Sequence, residues 1–331
     1  MKINVENVKE QIHEARPQLK TNTIKQYESN LNKLKKMFET DNWDFLQDPE
    51  KVEEKISHLH FTSRRNHYNA IIVLLMALNQ DKKYDKILEK YDEMRNELND
   101  EYNKQSSKIS DKQSKNFATL EEINEMIDKI AEELKAMKLK QKESLTKKEM
   151  ALLQFFVLIN LYKNIPLRND VSYMEAIKPT DLKKMTKEEQ KEKNWLLMEK
   201  NKLTIILNNY KSDKTYGQKR IPIEDKDLKR LLNYYIKVIG GKGVLFKSST
   251  GTALSPNALT QFFLKFTKKY LGKSVSTTLI RKSVASYHFG AGTEFAKLKK
   301  EQEDMAYVMG NSPATMNLVY VKEKQDEKSS E

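Results

Sequence analysis

The chain of 331 residues has no cysteine. Without thiols it forms neither a disulfide framework nor a thiolate metal site, which fits a reducing interior. Histidine is scarce too, with 5 in the chain. His13, His58, His60 and His67 fall in the N-terminal part, and no carboxylate spacing around them makes a metal site, so no metal is expected. Long apolar runs are also missing. The strongest, Ala151 to Tyr162, is broken by Gln154 and Asn160. A bilayer span takes about 20 residues, so this run reads as a buried core helix and no membrane is expected. The opening Met1-Lys-Ile-Asn-Val-Glu-Asn lacks the apolar core of a signal peptide, so the expected location is intracellular. No internal repeat is visible. Gly240-Gly-Lys-Gly243 lacks the spacing and the Lys-Ser/Thr ending of a phosphate loop.

What is present is charge. Hydrophobic residues make up 38% and charged residues 32%, with a formal net charge of +13. The isoelectric point is about 9.3. Such a basic excess points to a polyanionic partner, because lysine and arginine that neutralise phosphates release counterions. A coding bias towards Lys, Asn and Ile accounts for part of it. The length suits two domains, each with its own core.

The first part reads as helices. Ile24, Tyr27, Leu31, Leu34 and Phe38 recur at helical steps behind a capping Thr23, and Lys25 lies on the same segment. A second helix is predicted from Thr62, carrying Tyr68, Ile71, Ile72, Leu75 and Leu78. Its first turn, Ser63-Arg64-Arg65-Asn66, puts cations where they oppose the macrodipole. A DNA phosphate or base edge gives them a reason to be there; a solvated face is the alternative. Lys25, Arg64, Arg65 and Asn66 are therefore candidate DNA contacts. From Glu101 to Phe117 apolar periodicity disappears, so this stretch reads as a linker or as the end of a long helix from Lys86. Thr119 and Glu122 then form a capping box. The expected division is a helical domain over residues 1–105, a linker over 106–117 and a second domain over 118–331. Its last residues, 321–331, are polar and expected to be disordered.

Four short stretches of the second domain carry the chemistry. Asn164-Ile-Pro-Leu-Arg168-Asn-Asp170 follows the apolar helix; taken alone, its arginine pairs with Asp170. Thr204 to Leu207 reads as a strand, Gly217 as a turn and Ile221 to Ile223 as a short edge strand ending at Pro222, with Lys211 and Lys214 in the connection. Val244-Leu-Phe246 and Thr250-Gly-Thr-Ala-Leu-Ser255 lead to a helix from Pro256 bearing Leu259, Phe262, Phe263 and Phe266. Last come Thr278-Leu-Ile-Arg281-Lys-Ser283, Met309-Gly310-Asn311-Ser312 and Asn317-Leu-Val-Tyr320.

In this order the four stretches resemble the boxes of the tyrosine recombinases, the phage-integrase family. Arg168 matches the family's first arginine, Lys214 (or Lys211) the lysine of its β-ribbon, Arg281 its second arginine and Tyr320 its nucleophile, nine residues beyond Asn311. The pattern breaks where both family histidines should stand, at Thr278 and Asn311. His288, seven residues after Arg281, lies about 10 Å further along a helix and cannot replace them. The Pro-Leu-Arg-Asn-Asp form is similar to integrases of large DNA viruses and mobile elements. The resemblance implies a mainly α fold with a small three-stranded β-ribbon, in which a SAM-like core-binding domain precedes the catalytic domain. It implies double-stranded DNA as partner, a homo-oligomer (a tetramer on synapsed DNA), no cofactor, and cutting and rejoining of DNA through a 3′-phosphotyrosyl link. Arg168, Lys214, Thr278, Arg281, Asn311 and Tyr320 would be the catalytic set and Lys211 a further DNA contact. A type IB-like topoisomerase, or a DNA-binding relative with impaired catalysis, are the alternatives.

Overall fold

The computed structural model describes residues 3, 5–79, 81–106, 111–310 and 312–319. Asn311 and Tyr320 lie outside the described residues. The chain is mainly helical with one small sheet, as expected, and divides into two units, residues 1–110 and 111–331.

The first unit is helical throughout: α1 (Val8–Ala15), α2 (Thr21–Met37), α3 (Pro49–Ile56), α4 (Phe61–Leu78) and α5 (Asp85–Ser106). Its centre is α4, in which Ala70 to Leu75 are all buried, so α1, α2 and α5 can pack around it. The expected cap at Thr23 is not formed: α2 begins two residues earlier, behind Lys20, with no side-chain cap. Leu31 and Leu34 still form its buried stripe, because packing of that stripe rather than a cap decides where such a helix sits. The polar run after Glu101 continues α5 to Ser106, and a further turn, α6, covers Asp111–Ser114.

In the second unit α7 (Leu120–Ala136) opens on the capping box of Thr119 and Glu122. α8 (Lys147–Asn164) opens on another, Thr146 with Glu149, four residues before the apolar run. Residues 175–244 form a sheet with interspersed short helices: β1 (Glu175–Ile177), α9 (Pro179–Leu182), α10 (Lys187–Glu192), β2 (Trp195–Met198), β3 (Leu203–Leu207), α11 (Asp213–Tyr216), β4 (Lys219–Pro222), α12 (Lys226–Val238) and β5 (Gly243–Val244). The helices α13 (Pro256–Leu271), α14 (Thr277–Phe289), α15 (Glu294–Val308) and α16 (Pro313–Val319) follow.

The expected three-stranded ribbon is one edge of a five-stranded mixed sheet in the order β4-β3-β2-β1-β5, with β1 and β2 parallel. The parallel pair needs a crossover, which α9 and α10 supply, and its short apolar strands carry no hairpin signal. The sheet is buried on both faces. Leu196, Leu203, Ile205 and Leu207 join the main core, while Trp195, Leu197 and Ile206 meet Leu182 and Met185 on the other side. Two-sided burial removes the polar half of the period-two pattern. β4 is an edge strand, as its proline predicts, and presents Lys219 and Arg220 to solvent. The main core gathers α7, α8, α12, α13 and α14 around Phe155, whose ring stacks on Phe266 at 4.7 Å and meets Phe263 edge-on at 5.6 Å. The charged stretch Lys297–Asp304 lies within the 15-residue α15.

Candidate active site

Arg168 stands on the turn that leaves α8. That turn is held from three sides. The buried hydroxyl of Tyr162 donates to the Arg168 carbonyl at 2.8 Å. Asn169 donates to the Pro256 carbonyl at 2.8 Å and to Thr260 Oγ1 at 2.9 Å, and accepts from Thr277 Oγ1 at 2.7 Å. Buried Asn194 donates to the Asp170 carbonyl at 2.8 Å. With its backbone fixed in this way, the exposed guanidinium of Arg168 has no hydrogen bond of its own among the described residues.

Arg281 reaches the same turn from a remote part of the chain. Ser276 caps α14, and Ser283 anchors it through its hydroxyl to the Ala118 carbonyl at 2.5 Å. Thr277 and Arg281 of this helix face the arginine turn: Arg281 Nε donates to the Pro166 carbonyl at 3.0 Å, leaving its terminal nitrogens unspent on that bond. Thr278 is exposed in the first turn of α14, three residues before Arg281, so the two share a helix face.

The carboxyl of Asp170 belongs to the same turn. Burial pushes it above the ordinary aspartate value, while Arg168, Arg281 and Lys219 all pull it back. Three cations from three separate elements therefore act on one half-buried carboxyl. Sequence reasoning missed Lys219, which opens β4. Its ammonium lies 4.8 Å from the centre of the Tyr210 ring and 5.2 Å from that of Tyr216. The Tyr210 hydroxyl donates to the Gly217 carbonyl at 2.8 Å, closing the loop between β3 and β4. Lys214 lies in that loop on the single turn α11, exposed, and Lys211 is exposed in the turn before it.

Asn194 links this loop to the arginine turn. Besides its bond to Asp170 it donates to the Asn209 carbonyl at 2.9 Å, and its Oδ1 accepts from the backbone N–H of Asn208 and of Asn209, each at 2.8 Å. Every hydrogen-bonding direction of the amide is used. An asparagine just before an apolar strand gave no sequence signal, because its partners lie in two distant segments. The shaping residues Tyr162, Asn169 and Thr277 were illegible for the same reason.

In the first unit the candidate contacts divide. Lys25 is exposed on α2. Arg64 is ion-paired with Glu53, which also receives the Tyr68 hydroxyl, so its charge is already matched inside the fold. The Arg65 guanidinium lies 4.4 Å from the centre of the Tyr102 ring and donates to Asn99 at 3.5 Å. The Asn66 carbonyl accepts from Asn30 at 3.4 Å. Of the candidate contacts on this turn, Arg64 alone has an ion pair among the described residues.

No family model matches the chain, and no curated protein does. Among solved structures the chain is similar to the XerH site-specific recombinase bound to palindromic difH substrate, a post-cleavage complex. That match has a TM-score of 0.44 and 12% identity, and covers 92% of this chain and 75% of that one. A pre-cleavage complex of XerH with difH matches with a TM-score of 0.39 and 12% identity, over 98% of this chain and 97% of that one.

Proposed function

We propose that the chain cuts and rejoins DNA by transesterification, as a tyrosine recombinase does. The observation that carries this reading is the convergence of Arg168 and Arg281, over a hundred positions apart, on one turn, with exposed cationic side chains along the neighbouring sheet edge. A phosphodiester carries its charge on two non-bridging oxygens, and attack concentrates more there. Two guanidinium groups brought to one turn can neutralise it without a metal.

In this reading the phenolate oxygen of Tyr320 attacks phosphorus, a P–O–tyrosine bond forms, and the P–O5′ bond breaks. The leaving 5′ oxygen takes its proton from a lysine ammonium. Lys214 is the first candidate and Lys219 the second, the latter because its charge, like those of the two arginines, lowers the carboxyl of Asp170. Thr278 and Asn311 donate hydrogen bonds to the non-bridging oxygens. Because the tyrosyl link conserves the phosphodiester bond energy, a 5′-hydroxyl of another strand can reverse the step, and no cofactor is required. Lys211 and Arg220 at the sheet edge, and Lys25, Arg65 and Asn66 in the first unit, contact the backbone of double-stranded DNA. Self-association on DNA is part of the proposal, supported by the exposed apolar side chains Tyr287, Phe289, Phe295 and Leu298.

The test is a nicked duplex that the protein binds, selected from a random-sequence pool, incubated with the protein and run on a denaturing gel. A covalent adduct is expected, absent in Tyr320→Phe and reduced at least a hundredfold in Arg168→Ala and Arg281→Ala. Exchange of strands between two duplexes, rather than relaxation of one, separates recombinase from topoisomerase. Tight DNA binding with no adduct would assign the chain to DNA binding alone.

A further inference from the structure

A second feature lies well away from the arginines: a cavity of about 700 Å³ open to the surface. Its walls are one face of α8, with Lys147, Met150 and Gln154, and one face of α13, with Ala258, Phe262 and Lys265. These spacings of three, four and seven residues give straight helical faces roughly 10 Å long, about two turns each. Arg168 follows the opposite end of α8, about 15 Å along the helix axis from Gln154. Val238 and Ile239 at the end of α12 close one side.

The floor and the rim differ chemically. On the floor, the buried polar side chains of Gln154 and Tyr235 are already used within the fold. Gln154 donates to the Lys247 carbonyl at 3.0 Å and accepts from the Lys247 N–H and the Tyr235 hydroxyl, both at 2.9 Å; that hydroxyl also lies 2.9 Å from the Leu245 carbonyl. What the floor offers a visitor is therefore apolar surface. On the rim, Lys147, Lys247 and Lys265 are exposed, none of the three has an ion pair among the described residues, and no carboxylate lines the cavity.

We propose that this groove docks an acidic amphipathic helix of a partner protein. Apolar side chains at positions i, i+3 or i+4 and i+7 of that helix would fill the two-turn apolar trough, and flanking Asp or Glu side chains would meet the three lysines. Duplex DNA matches the rim but has no apolar ridge for the floor. The groove belongs to the second unit alone and takes no residue from the candidate active site, so failure of one reading leaves the other standing.

The experiment is selection of a displayed library of random 12-residue peptides on the full-length chain, followed by anisotropy titration of the enriched sequence. Enrichment of net-acidic peptides with apolar residues at helical spacing is expected. Their affinity should fall at least tenfold both in Lys147→Glu/Lys265→Glu and in Ala258→Arg, while far-UV circular dichroism and the DNA adduct are unchanged. The proposal is overturned if nothing enriches, if the enriched peptides are basic, or if they bind both variants as they bind the parent. It is equally overturned if a 20-base-pair duplex displaces the peptide and loses affinity in the lysine variant, which gives the rim to DNA. Self-association abolished by Ala258→Arg would give the groove to a second copy.

Discussion

Asn194 shows how much a single amide decides. Its four hydrogen bonds tie the Arg168 turn to the loop that carries Lys211 and Lys214. Replacing it by alanine leaves two partly buried carbonyls and two N–H groups without their partner. The expected cost in urea unfolding is about 3 kcal/mol, since each orphaned buried group costs about 1–3 kcal/mol and the loop relaxes to recover part. If Asn194→Ala unfolds like the parent, the asparagine is no clamp. Asp170 gives a pH signature. Burial holds its carboxyl above 3.8 despite the arginines, so the folded state binds more protons than the unfolded one. Its contribution to stability therefore falls as pH rises from 3.8 through the raised folded value. Asp170→Asn should abolish that slope and unfold at a higher urea concentration than the parent at pH 7. An unchanged slope would mean that the carboxyl is as well solvated folded as unfolded.

Among the elements, α8 leads into the turn of Arg168 and α14 carries Arg281, so the ends of these two helices bear on where the arginines sit. The start of α8 is held by Glu149, whose carboxyl Lys142, then the Thr146 N–H and hydroxyl, draw from 4.5 down to about 2. A lowered carboxyl stabilises the fold above its unfolded value and loses that contribution as pH falls from 4.5 to about 2. In Glu149→Gln the acid limb of the stability profile should be flatter over that window, which thermal melts at stepped pH will read. At the other end of α14, a Cβ at Gly290 would lie 2.2 Å from the Ser286 carbonyl oxygen, the acceptor of the Gly290 N–H. Gly290→Ala must therefore break the last turn. A loss of about 1–3 kcal/mol is expected, as for other strained or overpacked sites.

At the scale of the whole molecule, charge and exposed apolar surface set the behaviour. With a net charge of +13, binding to duplex DNA should weaken steeply with salt. Lys211→Ala and Arg220→Ala should each lower the slope of log K against log salt by about 1, because each phosphate contact releases about one counterion. Arg64→Ala should leave that slope unchanged, because its charge is matched by Glu53, and should instead cost stability. Phe295, half exposed and edge-on to Phe289 at 5.0 Å, lies on the proposed self-association surface. Light scattering of Phe295→Glu on DNA is expected to give a smaller assembly than the parent; an unchanged mass would remove that surface from the proposal.

How much of this was legible follows from the range of the interactions. The sequence by itself determined the helical first unit, the capping box at Thr119 and the strands at Thr204 and Ile221, and it singled out the candidate stretches that hold Arg168 and Arg281. Those features are written in local spacing: apolar steps of three and four, a Thr-x-x-Glu pair, proline at an edge. Only the tertiary structure decided that the ribbon belongs to a five-stranded sheet, that Arg64 is neutralised by Glu53, that Lys219 joins the arginines at Asp170, and that Asn194 clamps two loops. Each of those depends on residues that meet only when the chain has folded. A buried hydrogen bond or a three-cation cluster leaves no period along the sequence, because its energy comes from desolvation and charge shared between distant segments rather than from the conformation of any one of them.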